Sequence, residues 1–235
     1  MELIRGVVFD LDDTLYLERE YVLSGFRSVA ESIADASLPA DEMYQFLERG
    51  FASGVRGDAF DRMLAAFPAL AARRTAAELT QVYRTHTPRI ALDSSRGRLL
   101  DVLGRHGVKL GLITDGPVAS QSGKIAALGL SRYLDPMILT DAWGVEFRKP
   151  HPRAFEAVMR HWGFPPEQLV YAGDNPLKDF HAPRALGWQT VRLRIEGQLH
   201  QHAEPTAIEY AAAQECASFA DLARWLLSAC GIPSD

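Results

Sequence analysis

From residue 108 onward the sequence alternates between short apolar runs and amphipathic stretches, and this alternation constrains the fold more than any other feature. The apolar runs have the length of strands, and the stretches between them have helical spacing. Strands are predicted at residues 109–114, 136–140, 169–172 and 189–193, and helices at residues 118–128, 153–162 and 179–186. Strands that alternate with helices form parallel sheets covered by helices on both faces. The expected fold class is therefore α/β, with a three-layer core around a parallel sheet.

One further strand is predicted near the N-terminus, in the apolar segment from Ile4 to Leu11. The region after it has apolar residues at helical spacing, which predicts helices at residues 21–35, 41–49, 60–67 and 76–85. The first strand must then pair with strands beyond residue 108. We therefore expect a helical module at residues 16–90, inserted into a core formed by residues 1–15 and 91–235. A last helix is predicted at residues 219–227, after the N-cap Ser218.

The composition is that of a globular protein, since the 235 residues are 47% hydrophobic, which is enough for a substantial core. The formal net charge of -5 gives no basic field that would attract nucleic acid or an anionic membrane surface. No apolar segment reaches membrane-spanning length, and the N-terminus lacks a signal-peptide pattern. The two cysteines, Cys216 and Cys230, lack metal-ligand spacing. We expect a cytoplasmic monomer or homodimer that binds neither nucleic acid nor membranes.

Three carboxylates and a hydroxyl lie at the carboxyl end of the first predicted strand, in the segment Asp10-Leu11-Asp12-Asp13-Thr14. Ligands in open α/β sheets bind outside the carboxyl ends of the strands, so this segment is expected at the mouth of a crevice. A turn beginning at Asp12 could aim the carboxylates of Asp10 and Asp12 at one ligand or metal ion. The alternative is an acidic turn in solvent, because so short a motif is weak evidence by itself.

Polar groups also occur at three later points of the alternating region, next to the predicted strands and helices. The strand at 109–114 ends in Thr114-Asp115-Gly116, a turn that can present N–H groups to an anion. Lys149 precedes a proline and the helix at 153–162. The strand at 169–172 ends in Gly173-Asp174-Asn175, with Asp179 one helical turn later, and such carboxylates suit magnesium. Each of these features alone also fits an ordinary turn or a surface lysine.

Taken in order, these motifs resemble those of the haloacid dehalogenase-like (HAD) hydrolase superfamily. Asp10-x-Asp12-x-Thr14 resembles its first motif, Thr114 the second, Lys149 the third, and Gly173-Asp174 with Asp179 the fourth. Four motifs in the right order are far more specific than any one of them. The resemblance implies a Rossmann-like core, and it implies that the module at residues 16–90 is an α-helical bundle cap that closes over the site. It also implies a phosphatase that acts on a small phosphorylated metabolite.

The resemblance implies a catalytic role for each motif. Asp10 would attack phosphorus and form a covalent aspartyl-phosphate, and Asp12 would act as the general acid and base. Thr114 and the turn Asp115-Gly116 would bind the phosphoryl oxygens. Lys149 would neutralise charge on the nucleophile and on the phosphoryl group.

The same resemblance implies a Mg²⁺ cofactor. Its ligands would be Asp10, the backbone carbonyl of Asp12, and Asp174. The supporting residues would be Thr14, Asn175 and Asp179, of which Asp179 would orient Lys149 or a metal-bound water.

The motifs leave several functions open. A dehalogenase is disfavoured, because a halide needs no proton and the relatives that displace one lack an acid at the position of Asp12. A phosphomutase would keep both aspartates, and only the ease of hydrolysis by water favours a phosphatase over it. A phosphoacceptor domain of the response-regulator type has a similar residue set in another chain order. The substrate stays open among sugar phosphates, nucleoside monophosphates and similar metabolites.

Overall fold

A six-stranded, fully parallel sheet forms the centre of the protein in a computed structural model that describes residues 2–233. The strand order is β3-β2-β1-β4-β5-β6. The strands are β1 (Gly6–Phe9), β2 (Lys109–Thr114), β3 (Met137–Leu139), β4 (Leu169–Gly173), β5 (Gln189–Leu193) and β6 (Gln214–Cys216). The predicted α/β class with a parallel, Rossmann-like sheet is therefore confirmed.

The first strand lies in the middle of the sheet although it comes first in the chain. Gly6 of β1 is aligned with Lys109 of β2 on one side and with Leu169 of β4 on the other. All four residues of β1 are buried, as expected for a strand covered on both faces. A Cβ atom at Gly6 would lie 2.7 Å from side-chain atoms of both Leu169 and Trp162, so this close packing requires glycine.

Ten α-helices and five short 3-10 helices accompany the strands in the described part of the chain. The α-helices are α1 (Glu18–Ile33), α2 (Ala40–Ala52), α3 (Ala59–Ala66), α4 (Pro68–Ala71), α5 (Ala76–Thr85), α6 (Ser94–Arg105), α7 (Val118–Ala127), α8 (Arg153–Trp162), α9 (His181–Ala185) and α10 (Phe219–Ala229). Val7 and Phe9 of β1 pack in one hydrophobic cluster with residues of α6 and α10, while Val8 packs with residues of α8 in another. Alternate residues of a strand face opposite sides of a sheet, so the two clusters are the two faces of a three-layer core.

The first five helices share a hydrophobic cluster of their own, which includes Phe26, Val29, Met43, Leu47 and Met63. We refer to α1–α5 as the helical module. Helix α5 of the module packs against α7, which lies outside the module. At this contact the Ser120 hydroxyl of α7 donates to the Arg84 carbonyl of α5 at 3.2 Å. The division into a cap at residues 16–90 and a core at residues 1–15 and 91–235 stays a prediction.

Four elements differ from expectation. Helix α4 was not predicted, because Pro68 was interpreted as a break between helices, whereas it is the first residue of α4. Helix α6 was not predicted, although Asp93 is a strong N-cap signal, and its carboxylate accepts hydrogen bonds from the N–H groups of Ser95 and Arg96. Strand β6 has two exposed residues out of three, so it lacks an apolar pattern. The helix predicted at 179–186 begins only at His181, because Asp179 belongs to the turn before it. Among the helices of residues 2–233, none is both long and apolar enough to cross a membrane.

Candidate active site

Three of the predicted site residues lie at the carboxyl ends of adjacent strands. Asp10 follows β1, Thr114 ends β2, and Asp174 follows β4. The backbone N–H of Asp10 donates to the carbonyl of Ala172 at 2.8 Å, so the β1–β4 ladder continues up to the predicted nucleophile. The parallel topology therefore brings together residues that are more than 100 positions apart in the sequence.

Lys149 is the centre of this site. Its Nζ donates to Asp10 Oδ1 at 2.7 Å, to Asp179 Oδ1 at 2.8 Å and to the Tyr171 hydroxyl at 2.8 Å. Burial opposes the charged form of Lys149, but Asp10 and Asp179 outweigh it and raise the pKa of the lysine well above its usual value. Lys149 is therefore a permanent cation between two carboxylates.

The carboxylates around Lys149 form a buried acidic cluster. One oxygen from each of Asp10, Asp174 and Asp179 lies within 4.8 Å of the others. Burial raises the pKa of Asp10 to about 6 even though Lys149 opposes the shift. Burial, followed by repulsion from Asp179 and Asp10, raises the pKa of Asp174 well above its usual value. So much negative charge in a buried space favours a cation beside these carboxylates.

The two aspartates after β4 differ in how their oxygens are used. Asp179 Oδ2 accepts the N–H groups of Asp174 at 3.2 Å and Asn175 at 2.9 Å, while its Oδ1 accepts from Lys149. Asp174 Oδ2 is buried and has no hydrogen-bond partner among residues 2–233. Gly173 makes this arrangement possible, because a Cβ atom there would lie 2.6 Å from Asp179 Oδ2.

Asp12 is held by helix α7 and by the turn that follows it in sequence. Lys124 Nζ lies 2.7 Å from Asp12 Oδ1, and Gln121 Nε2 donates to Oδ2 at 2.9 Å. The Tyr16 hydroxyl also donates to the Asp12 carboxylate. Burial would raise the pKa of Asp12, but Lys124 and the hydrogen bonds from Tyr16 and Gln121 outweigh it and keep the pKa below its usual value.

Sequence reasoning missed Lys124, Gln121 and Tyr16. The two α7 residues are buried polar side chains three positions apart, which places them on one face of the helix. That spacing is the only sequence signal for them, and it is also typical of a solvated helix face.

The turn after β2 is hydrogen-bonded to the segment between β3 and α8, which carries Lys149. The Thr140 hydroxyl donates to Asp115 Oδ1 at 2.7 Å, and the backbone N–H of Lys149 donates to the same oxygen at 3.1 Å. Gln121 Nε2 donates to the Thr114 hydroxyl, so the residue that binds Asp12 also orients Thr114. The turn predicted to bind phosphoryl oxygens is therefore held by side chains from α7 and from the segment after β3.

Asp141 connects the same two segments through a second set of contacts. Its Oδ1 accepts the N–H of Gly116 at 3.2 Å and Arg148 Nε at 2.6 Å, while its Oδ2 accepts Arg148 Nη2 at 2.6 Å. Arg148 directly precedes Lys149, so this two-point ion pair fixes the backbone beside the lysine. Neither Asp141 nor Arg148 was predicted from the sequence to be part of the site.

The loop after β1 is shaped by Asp13, to which sequence analysis also gave no role. Asp13 has a left-handed backbone with φ of 55°. Its carboxylate accepts the N–H groups of Glu18 at 2.8 Å and Leu199 at 2.7 Å, which offsets the strain of that conformation. Thr14 is buried, and its carbonyl accepts Arg96 Nε at 3.1 Å. Asp13 thus orders the turn that carries Asp12.

Comparison with known proteins assigns this arrangement to a family. A family model described as haloacid dehalogenase-like hydrolase matches residues 4–187. A glyceraldehyde 3-phosphate phosphatase of Methanocaldococcus jannaschii is 31% identical over 81% of this chain and 85% of its own length. One from Methanopyrus kandleri is 30% identical over 82% of this chain and 84% of its own length. The magnesium-bound putative HAD-hydrolase YfnB of Bacillus subtilis has a TM-score of 0.66 at 20% identity, covering 96% of this chain and 99% of that one.

The chain therefore belongs to the haloacid dehalogenase-like hydrolases, as the order of its motifs predicts. Within that family it is a phosphatase, that is, a phosphoric monoester hydrolase.

Proposed function

We propose that the protein is a Mg²⁺-dependent phosphatase that hydrolyses a small phosphorylated metabolite through an aspartyl-phosphate on Asp10. The observation that carries this proposal is the buried contact of Lys149 with Asp10 and Asp179, beside an Asp174 oxygen that has no hydrogen-bond partner among the residues that the structure describes. A carboxylate that is held by a fixed cation at the end of a central strand is positioned to act as a nucleophile.

In the first step an oxygen of Asp10 forms a bond to phosphorus, and the bond from phosphorus to the alcohol oxygen breaks. Asp12 gives a proton to the departing alkoxide, so the alcohol leaves neutral. Lys149 balances the charge of Asp10 and of the phosphoryl oxygens, and Thr114 with the N–H of Asp115 orients those oxygens. The products of this step are the free alcohol and the aspartyl-phosphate.

In the second step a water molecule attacks the phosphorus of the aspartyl-phosphate. Asp12 takes the proton of that water, the bond from phosphorus to Asp10 breaks, and inorganic phosphate leaves. The lowered pKa of Asp12 in the free protein keeps its carboxylate ionised, which is the form that can accept this proton. For the acid role, a dianionic phosphoryl group next to Asp12 raises its pKa and favours its protonation.

The residues present fit a magnesium ion. Asp174 Oδ2 is a buried carboxyl oxygen without a hydrogen-bond partner in the described chain, and Mg²⁺ prefers oxygen ligands. Asp10, the backbone carbonyl of Asp12 and Asp174 would hold the ion, with Asn175 supporting that turn. When bound, it would neutralise charge on the phosphoryl oxygens and on the carboxylates. Asp179 is better suited to orient Lys149, because both of its oxygens already accept hydrogen bonds.

The substrate class is supported by the names of the relatives. Besides the two glyceraldehyde 3-phosphate phosphatases, a phosphoserine phosphatase of Thermus thermophilus is 29% identical over 49% of this chain. We infer a small phosphorylated metabolite as substrate, with the predicted cap at residues 16–90 enclosing its alcohol part. The cytoplasmic location and the monomeric or homodimeric state stay predictions.

The test is release of inorganic phosphate from an aryl phosphate and from a panel of phosphorylated metabolites, with and without Mg²⁺. We expect Mg²⁺-dependent release that Asp10→Asn abolishes. Asp101→Asn makes the same change at an exposed position of α6 and serves as the matched control, with unchanged activity. Absence of release from every ester, or conversion of a sugar phosphate to an isomer without free phosphate, would contradict the proposal.

A further inference from the structure

A cavity of about 250 Å³ lies between the helical module and the loop that carries Leu199. Residues from α1, α2, α3 and α5 form its walls, together with residues 55–57 of the loop between α2 and α3. Its apolar lining consists of Val22, Phe26, Phe51, Val55, Ala59, Phe60, Tyr83 and Leu199. None of these residues takes part in the chemistry described above.

The apolar walls are built mainly from aromatic rings. The ring centre of Phe26 lies 6.3 Å from that of Phe51, 6.0 Å from that of Phe60 and 6.0 Å from that of Tyr83. The first and second of these pairs are edge-to-face contacts, which fix the orientation of the rings. The walls are therefore a packed aromatic surface.

One end of the cavity adjoins the catalytic loop. Glu18 and Leu199 both line the cavity, and the backbone N–H groups of both residues donate to the carboxylate of Asp13. Asp13 follows Asp12 directly in the sequence. A phosphate ester bound at Asp10 would thus extend its alcohol part towards this cavity.

The lining also contains three charged residues, Glu18, Arg56 and Arg84, and one hydroxyl residue, Thr80, whose hydroxyl donates to the Ala76 carbonyl at 2.7 Å. Arg56 is exposed, and its guanidinium already lies over the Phe51 ring and donates to the carbonyls of Phe51 and Val55. Arg84 is also exposed, and Glu18 lies at the catalytic end. Most of the lining residues are nevertheless apolar, so a substrate in the cavity would meet mostly carbon.

We propose that this cavity receives the alcohol part of the substrate, and that this alcohol has a compact apolar body about the size of a substituted aromatic ring. The inference rests on the proposed phosphatase function. A cavity of about 150 Å³ is enough to hold benzene, so this larger one accommodates a ring with a short substituent. A polyhydroxylated alcohol would lose its hydrogen bonds to water against these walls without replacing them.

Two phosphate esters test the proposal. Benzyl phosphate and glycerol 3-phosphate are both esters of primary alcohols, so their leaving groups depart with similar ease while one body is apolar and the other polar. We expect kcat/KM for benzyl phosphate to exceed that for glycerol 3-phosphate by about tenfold or more, the range that apolar contacts give in enzyme pockets.

Matched variants connect that preference to the cavity. Val22→Thr and Val55→Thr keep the side-chain shape and place a hydroxyl on the apolar wall. We expect each to lower kcat/KM for benzyl phosphate severalfold, and to lower the ratio of kcat/KM for benzyl phosphate to kcat/KM for glycerol 3-phosphate by a similar factor. Val82→Thr makes the same change on α5, among residues packed against the module's hydrophobic cluster but outside the cavity lining. It is expected to leave the ratio of the two esters unchanged.

The outcomes separate the two proposals. Equal or better hydrolysis of glycerol 3-phosphate, or a fall in both esters alike in Val22→Thr and Val55→Thr, overturns the apolar assignment while the phosphatase function stands. No phosphate release from either ester or from the metabolite panel overturns the proposed function itself. A preference for benzyl phosphate that Val82→Thr removes as fully as Val22→Thr would also contradict the assignment to this cavity.

Discussion

Replacing Lys149 with methionine tests the ion-pair arrangement at the centre of the site. Methionine has a similar length but no charge, so Lys149→Met leaves the Asp10 and Asp179 carboxylates, 3% and 0% exposed, without their shared cation. Breaking a buried ion pair by removing one partner destabilises a protein by about 3–5 kcal/mol. We expect the free energy of unfolding at pH 7.5 to fall by about that amount in metal-free buffer.

The loss should depend on pH with a definite sign. Without Lys149, burial and mutual repulsion raise the pKa of both carboxyls above their values in the unfolded chain. A carboxyl whose pKa is raised in the folded state destabilises the fold above that pKa, and the penalty vanishes below the unfolded value. In the wild-type protein the pKa of Asp179 lies below its usual value, so its stabilising contribution persists to low pH. The difference in the free energy of unfolding between wild type and Lys149→Met should therefore become smaller from pH 7.5 towards pH 4.

Urea unfolding followed by circular dichroism measures these free energies, with EDTA present throughout. The double variant Lys149→Met/Asp179→Asn should be more stable than Lys149→Met alone, because it buries one unpaired charge fewer. Lys109→Met, at an exposed position of β2, is the matched control and should change stability by less than about 0.5 kcal/mol. A loss below about 1 kcal/mol for Lys149→Met, or a loss that does not change with pH, would refute the reasoning.

Three further predictions concern other parts of the site and the C-terminal region. Asp12→Ala should lower kcat about 100-fold or more but keep the affinity for Mg²⁺, whereas Asp174→Ala should weaken binding of the ion. Calorimetric titration measures both affinities, and an equal loss of Mg²⁺ affinity in the two variants would contradict the assigned ligands. Asp141→Asn and Arg148→Gln should each lower kcat/KM by about tenfold. Because both substitutions break the same ion pair, kcat/KM of the double variant should be no lower than that of either single variant. Additive losses of kcat/KM in steady-state kinetics would argue against a shared role. Burial raises the pKa of the Cys230 thiol to about 11, so little of it is ionised at pH 8. Alkylation of Cys230 at that pH, followed by mass spectrometry, should be about a hundredfold slower than alkylation of free cysteine. Rapid labelling would show that this thiol is exposed.

Local patterns predicted most elements of the fold. The bounds of β2, β5, α5 and α8 match the sequence-based ranges. These elements have an apolar pattern that depends only on neighbouring residues, so the sequence alone is enough to locate them. Helix α6 and strand β6 were missed for different reasons. Helix α6 carries few apolar residues apart from its leucines, and β6 pairs with β5 through its backbone while two of its three side chains face solvent.

The sequence by itself determined the fold class, the family and the order of motifs at the strand ends, because parallel strands place their carboxyl ends on one edge of the sheet. Only the tertiary structure decided what each charged group contacts. Lys124 lies 112 positions from Asp12 and reaches it only because α7 packs beside the loop after β1. The aromatic cavity likewise combines residues from four helices, the loop between α2 and α3, and the distant loop that carries Leu199. Contacts of this kind depend on how elements pack in space, and that packing leaves no periodic signal in the chain.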